Sequence, residues 1–433
     1  MTTGLARTSL RSRPAAAAGV FSALVLSATV ITACTAVLFS ATAGPRSRQG
    51  DELALMGVGF TLVAVYLSVF VTGQVTALAV AQRQRETALL RTVGADPWQI
   101  RRMVATEALL TAVPALPVGY GLGVLLARWW FGAMADQGLV PEGVRLTVGP
   151  LPALVAAGVL TVTSLLGGLS AAQRAARSRP SVALGEAAGP AGGVTVVRVL
   201  LAFGALAGAV ALSSAVAAGP ADRAAERVPL LLLLYLVAVG LAGPVLGRVG
   251  CTLLAVPFRL FGAPGVLAVA NSRARARRLS AAITPVTLVV AFILAKLGTT
   301  AGRAAPSWTD LFATALYAGF AGLAAANTLV MLILERRREI ALLRLVGAGA
   351  GQLLRMVLLE GVIVSGTSLV LGAAVATAAL APLGGTGGAT APSGLPGEVL
   401  AGLAGAVALL VLLSSVLPSV RLLTARPATA ATA

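Results

Sequence analysis

Residues 82–110, QRQRETALLRTVGADPWQIRRMVATEALL, and residues 335–363, ERRREIALLRLVGAGAGQLLRMVLLEGVI, are the two stretches that decide the fold. Aligned at an offset of 253 without a gap, they share 15 identities in 29 positions. The identities include arginine, glutamate, glutamine and glycine, which shared hydrophobicity does not explain. The chain therefore contains an internal repeat, and each copy of the repeated segment is followed by a long apolar run.

The composition indicates a membrane protein. Of 433 residues, 58% are hydrophobic and 11% are charged, and the mean hydropathy is +0.92. A soluble domain carries about 25% charged residues, so lipid must cover much of this apolar surface. Uncharged runs of about 20 residues recur along the chain, as membrane-spanning helices require. We predict ten spans, near 15–41, 53–80, 103–127, 150–171, 195–217, 229–247, 280–298, 311–333, 356–381 and 397–420.

Charge predicts the orientation. The net charge is +18, but aromatic residues are only 4% of the chain and the arginines cluster between apolar runs, which argues against nucleic acid as a partner. With both termini in the cytoplasm, 25 arginines lie in inner segments and 7 in outer segments. Because inner loops are enriched in basic residues, we expect a multi-pass protein of the plasma (cytoplasmic) membrane with both termini cytoplasmic.

The predicted architecture is an all-α polytopic protein in three parts. A first four-span unit covers 1–188, two linking spans and an interfacial segment cover 189–264, and a second four-span unit covers 265–433. The basic loop faces inward in both copies, so the two units are parallel rather than inverted. The tetrapeptide ending at Cys34 resembles a lipoprotein cleavage box, but the apolar run continues past it, so we retain that segment as a span.

The repeated segment predicts a structured cytoplasmic loop. We expect the second span of each unit to continue as a helix past the membrane. In the first copy this helix ends at Gly94, which suits a helix C-cap. Asp96 and Pro97 suit the start of the next helix, whereas glycine and alanine stand at that point in the second copy and predict a weaker cap. A tight turn that carries both polar and apolar residues favours docking of a partner over a loop that only sets the topology.

Two carboxylates lie just inside the third span of each unit. Glu107 and Glu360 are candidate members of buried ion pairs, because carboxylates in a membrane are costly and usually paired. The alternative is that each reaches headgroup water. The candidate partners are Arg102 and Arg355, or Arg85 and Arg338.

Other polar and small residues suggest packing rather than chemistry. Gly119 and Gly123, and likewise Gly204 and Gly208, fit close helix contacts, and Lys296 is expected to reach the outer headgroups. Two cysteines and no histidine support neither a disulfide framework nor a zinc site.

The repeated motifs resemble the signature of the FtsX-like permease family, which includes the macrolide-exporter and lipoprotein-release permeases. The resemblance implies the permease subunit of an ATP-binding cassette (ABC) transporter, with the loops resting on separate cytoplasmic ATPase subunits, two in number. The residues that would dock are Arg85, Glu86, Leu89, Leu90, Arg91, Gly94, Arg338, Glu339, Leu342, Leu343, Arg344 and Gly347. Many relatives carry a large extracytoplasmic domain after the first span of a unit. Here those connections are 42–52 and 299–310, too short for any domain.

No enzyme site is evident in the sequence. A P-loop requires lysine followed by serine or threonine, and the only lysine, Lys296, precedes Leu297. We therefore expect no cofactor in this chain, and ATP and magnesium on the partner subunit. The resulting hypothesis is a permease that moves a hydrophobic or amphipathic substrate, with export as the expected direction. Two alternatives remain: an ion-coupled carrier, which usually has ionisable residues at the bilayer midplane, and a non-transporting scaffold or mechanotransmitter that regulates a cell-envelope partner.

Overall fold

The protein is all-α throughout the part of the chain that the computed structural model describes. Eleven helices, labelled in chain order, are α1 Pro14–Ala43, α2 Arg48–Ala81, α3 Pro97–Asp136, α4 Pro150–Arg177, α5 Val196–Ala217, α6 Leu233–Gly243, α7 Ala276–Thr300, α8 Trp308–Glu335, α9 Arg337–Leu345, α10 Ala350–Gly384 and α11 Gly397–Thr424. The described residues are 14–44, 47–81, 89, 92, 94–141, 143–177, 196–218, 230–231, 233–243, 245–246, 249, 266, 270, 276–300, 307–384 and 391–424.

Within these described ranges, nine helices are long and apolar enough to cross a membrane, namely all except α6 and α9. This confirms a polytopic helical membrane protein. The sixth predicted span corresponds to the region of α6. Residues 230–231 and 245–246 on either side of α6 are also helical, and several residues around them lie outside the described ranges. The interfacial segment 248–264 also lies almost entirely outside them.

The chain separates into two compact units, Met1–Gly193 and Val194–Ala433, and each contains one four-helix bundle. In the first unit, α1 packs against α2, α3 and α4, and α4 packs against α2 and α3. In the second unit, α7 packs against α8 and α10, α11 packs against α8 and α10, and α5 packs on α10. The leading helix, α1 or α7, is the most buried span of its unit. The second compact unit therefore includes linking helices as well as its bundle.

A glycine brings the first and third helices of each bundle into close contact. A Cβ on Gly119 of α3 would collide with Ala28 of α1. Gly372 of α10 holds the equivalent position at the same offset of 253, and its Cβ would lie 2.6 Å from Val290 Cβ of α7. The repeat therefore extends from the loop into the helix crossing, where only a residue without a side chain allows the backbones to approach.

The other glycine predictions had different outcomes. Gly123 lies on the same crossing as Gly119, and its Cβ would lie 2.6 Å from Thr32 Cβ, so the predicted contact is confirmed. The prediction for Gly204 and Gly208 of α5 was wrong, because no described atom lies within 4 Å of a Cβ built at either position. Spacing alone does not identify which face of a helix has a neighbour.

An ion pair connects α7 and α8 at their predicted outer ends. Lys296 Nζ lies 2.7 Å from Asp310 Oδ1. Asp310 also accepts a hydrogen bond from the Ser307 hydroxyl, and Ser307 in turn caps the first turn of α8. Lys296, expected to reach the headgroups, is 29% exposed and is paired with Asp310. Its carboxylate partner follows fourteen residues later, across the short connection between the two helices.

Candidate functional site

The repeated segment of the second unit forms a separate short helix rather than an extension of the preceding span. Helix α8 ends at Glu335, the chain turns at Arg336 with φ −85° and ψ 2°, and α9 begins at Arg337. The predicted continuous helix is therefore wrong for this copy. After the break, α9 contacts α11 and α8.

Helix α9 ends in a glycine cap at Gly347, the repeat counterpart of the predicted cap Gly94. Gly347 has φ +103°, in the left-handed region. Its N–H donates to the Arg344 carbonyl, and the N–H of Ala348 donates to the Leu343 carbonyl at 2.9 Å. These two bonds form a Schellman motif, which satisfies carbonyls at the end of the helix and turns the chain sharply towards α10.

The first unit has the same cap position. Gly94 has φ +100°, so both glycines of the repeat adopt the conformation that favours glycine. The residues between α2 and Gly94 lie outside the described ranges, except Leu89 and Thr92. The site predictions that fall on these undescribed residues are Arg85, Glu86, Leu90 and Arg91.

A repeated glutamine starts the next helix in both copies, a feature that the sequence analysis did not use. The Asp96 N–H donates to Gln99 Oε1 at 3.2 Å, and the Gly349 N–H donates to Gln352 Oε1 at the same distance. This is the reciprocal half of a capping box, in which the third helical residue reaches back to the backbone. The weaker cap expected for the second copy therefore retains this bond.

One side of α9 is an anchor. Ile340 is buried, and Leu343 packs with it against the start of α10, where Leu353, Met356 and Val357 are buried. Ile333, at the end of α8, completes this cluster. The structure therefore places Leu343, a predicted docking residue, partly buried on the inner side of α9, where it helps to hold the helix in place.

The other side of α9 is an exposed apolar surface. Leu342 is 48% exposed, and Leu345 and Val346 are more than half exposed. Glu339 is exposed in the first turn and Arg344 is half-buried in the last turn, positions that suit the helix dipole. We call Glu339, Leu342, Leu345 and Val346 the outer face of α9.

The outer face contains two residues that were not in the predicted docking set. Leu345 and Val346 were not named as site residues, although Val346 has an identical counterpart in the first copy, which was a usable signal. In the first copy Leu89, the counterpart of Leu342, is 49% exposed, so the two leucines match in exposure. The side chain of Arg338 lies outside the described part of the structure.

Glu360 pairs with an arginine that the sequence analysis did not consider. Arg336 Nη2 donates to Glu360 Oε1 at 2.8 Å, and Nη1 donates to Oε2, so the contact is bidentate. The candidate partner Arg355 was wrong, because its side chain is exposed. Arg336 was overlooked because it lies 24 residues before Glu360, on the other side of α9. Glu107, the counterpart of Glu360, is half-buried.

Nothing in the described site suggests catalysis. Among the described side chains, no group of three or more His, Cys, Asp or Glu residues is placed to hold a metal ion. Cys34 is a free thiol in the core of the first bundle, and Cys251 lies outside the described residues. The arrangement holds a short helix rigidly on one side and presents it on the other, which suits binding.

Comparison with known protein families agrees with the fold and the repeat. The family profile described as FtsX-like permease C-terminal matches residues 58–180 and 311–427. The two matches cover the second to fourth helices of each bundle, and together they cover more than half of the chain. The comparison with curated proteins found no match. The chain therefore belongs to the FtsX-like permease family and contains two copies of its membrane unit.

Proposed function

We propose that this chain is the transmembrane permease subunit of an ABC transporter, and that it docks on cytoplasmic ATPase subunits through α9 and the matching segment of the first unit. The observation that carries the proposal is α9 itself. It is anchored by Ile340 and Leu343 on one side and exposes Leu342, Leu345 and Val346 on the other. An exposed apolar cluster beyond the end of a membrane span is best explained by a protein partner that covers it.

Two repeated segments favour two ATPase contacts in one chain. Leu89 and Leu342 are equally exposed, and each precedes a glycine with positive φ by five residues. ATP and magnesium would be bound by the ATPase subunits, because this chain has no P-loop sequence. The family resemblance and the arginine bias support a location in the plasma membrane, with both termini and both repeated segments in the cytoplasm.

The buried polar groups of the spans favour a hydrophobic or amphipathic substrate. In the described spans, the buried polar side chains are hydroxyls apart from Glu360, which lies near the start of α10. Lys296 and Asp310 pair at the opposite end of the second bundle. With charges kept at the span ends, a substrate that enters laterally from the lipid fits better than an ion. We propose export as the direction.

The short outer connections favour transport over the scaffold alternative. Helix α1 ends at Ala43 and α2 begins at Arg48, and α7 ends at Thr300 and α8 begins at Trp308. Connections of this length offer little surface for a cell-envelope partner to hold. A scaffold role would require another surface, so it serves as an outcome of the test below.

The test is co-purification of the full chain with the ATPase encoded beside it, followed by ATP hydrolysis in lipid nanodiscs. We expect wild type to co-elute with the ATPase and stimulate hydrolysis, and the double variant Glu86→Arg with Glu339→Arg to lose both. Glu398→Arg is the matched control, because Glu398 is also an exposed glutamate in a first helical turn but lies in α11, at the predicted outer side.

Two results would contradict the proposal. Absence of both co-elution and stimulation in wild type would favour the scaffold alternative. Transport of a strictly water-soluble dye, with no transport of a lipophilic dye in proteoliposomes, would contradict the substrate class.

A further inference from the structure

The ion pair between Arg336 and Glu360 joins three helices at one point. Arg336 is the residue between α8 and α9, and Glu360 lies in α10. Both guanidinium nitrogens Nη1 and Nη2 engage the carboxylate, one oxygen each. The side chains are 11% and 6% exposed, so the pair is largely removed from solvent.

Stability alone does not explain a buried ion pair at this position. Desolvation of two charges offsets much of their attraction, and an apolar pair of similar volume often stabilises a fold equally well. The apolar cluster of Ile340, Leu343 and Val357 already attaches α9 to α10. The ion pair also defines the position of α9 relative to α10. Apolar contacts tolerate sliding, whereas a bidentate contact defines both the distance and the angle between the two side chains.

The pair acts on the position at which the chain changes direction. Arg336 ends α8 through its N–H, which donates to the Ile333 carbonyl, and its carbonyl accepts from the Ile340 N–H in α9. The same residue therefore bonds to α8, α9 and α10. Rotation of α9 relative to α10 would have to break the bidentate contact.

We propose that Arg336 and Glu360 form a latch that sets the angle of α9 on α10, so that a displacement of α9 moves α10 as a rigid body. Both are positioning residues in this proposal. It rests on the proposed function for the source of the displacement, which is the ATPase, but the latch itself is a property of this chain. In the repeat, Glu107 occupies the position of Glu360 and Arg83, outside the described residues, that of Arg336.

The first arm of the test measures the latch without any ATPase. Nitroxide labels are placed at Leu345 on α9 and at Val370 on α10, both exposed, after Cys34 and Cys251 are replaced by alanine. Val370 lies about 30 Å along α10 from its start, which suits pulsed electron paramagnetic resonance. We expect a narrow distance distribution in wild type and a broader or shifted one in Arg336→Gln and in Glu360→Gln.

The matched controls separate a latch from general loosening. Arg355→Gln removes an exposed arginine from the same end of α10 and should leave the distribution narrow. The charge swap Arg336→Glu with Glu360→Arg should restore it. If the single variants do not fold, the apolar double variant Arg336→Met with Glu360→Leu should fold but show the broad distribution. A folded Glu360→Gln or apolar double variant with the narrow wild-type distribution would overturn the latch.

The second arm measures coupling with unlabelled protein and the partner ATPase. We expect Arg336→Gln and Glu360→Gln to retain ATPase binding, because the outer face of α9 is unchanged, but to lose the stimulation of ATP hydrolysis. The charge swap should restore the stimulation of ATP hydrolysis. If wild type stimulates no hydrolysis although the first arm shows broadening, the latch stands and the proposed function fails. If the single variants stimulate as well as wild type, the latch does not transmit motion.

Discussion

Truncation of the exposed leucine of α9 is the sharpest test of the docking surface. Complete burial of a leucine side chain contributes about 1.5–3 kcal/mol, and Leu342 is 48% exposed, so covering the rest contributes about 1 kcal/mol. Leu342→Ala should therefore raise the Kd for the ATPase about fivefold. Leu89 is 49% exposed, so its truncation should raise the Kd at the first copy about fivefold as well. If the two sites are independent, the double truncation should raise the product of the two site Kd values about thirtyfold.

The assay is biolayer interferometry of ATPase subunits on the chain in lipid nanodiscs. Leu409→Ala is the matched control, because Leu409 is 59% exposed but lies in the middle of α11, where lipid covers it. It should leave the Kd unchanged. Equal Kd values for wild type, Leu342→Ala and the double truncation would refute the reasoning, because the outer face of α9 would then contribute no binding energy.

Three further sets of substitutions test a helix crossing, the ion pair between α7 and α8, and the cap of α9. Gly372→Leu should destabilise the second bundle by about 1–3 kcal/mol, because a Cβ at this position would lie 2.6 Å from Val290 Cβ. The measurement is thermal unfolding, which should occur at a lower temperature, and the control Gly204→Leu should have no effect. Replacement of Lys296 by methionine and of Asp310 by asparagine, singly and together, should show a coupling energy of about 1 kcal/mol in a double-mutant cycle, since the pair is partly exposed. Gly347→Ala should cost about 1–2 kcal/mol, because its φ is +103°, and should speed hydrogen exchange in α9; unchanged exchange would argue against the cap.

Much of the candidate site follows from local sequence. Gly94 was predicted as a helix cap, and both it and its repeat counterpart Gly347 have positive φ, because a sharp helix end requires a conformation that glycine adopts most easily. The repeat also predicted that Leu89 and Leu342 are equivalent, and they have matching exposure. These properties depend on residues within one or two turns, which is the range that a single sequence describes well.

The differences between expectation and structure have one cause in common. Leu343 was predicted as a docking residue and packs partly against α10, Arg355 was considered as the partner of Glu360, and Gly204 was expected at a helix contact. Each depends on which direction a helix faces in the assembled unit. The break at Arg336 separates α9 from α8, and hydrophobicity on both sides of the break does not reveal it.

The sequence by itself determined that the chain is helical, crosses the membrane many times and repeats one unit with a structured loop, because hydropathy, charge and identity at a constant offset are readable along the chain. Only the tertiary structure decided which side of α9 is exposed and which charges meet. Arg336 reaches Glu360, and Lys296 reaches Asp310, through helix crossings that bring distant positions together. Such pairing depends on packing in three dimensions, whereas the tendency to form each helix is local.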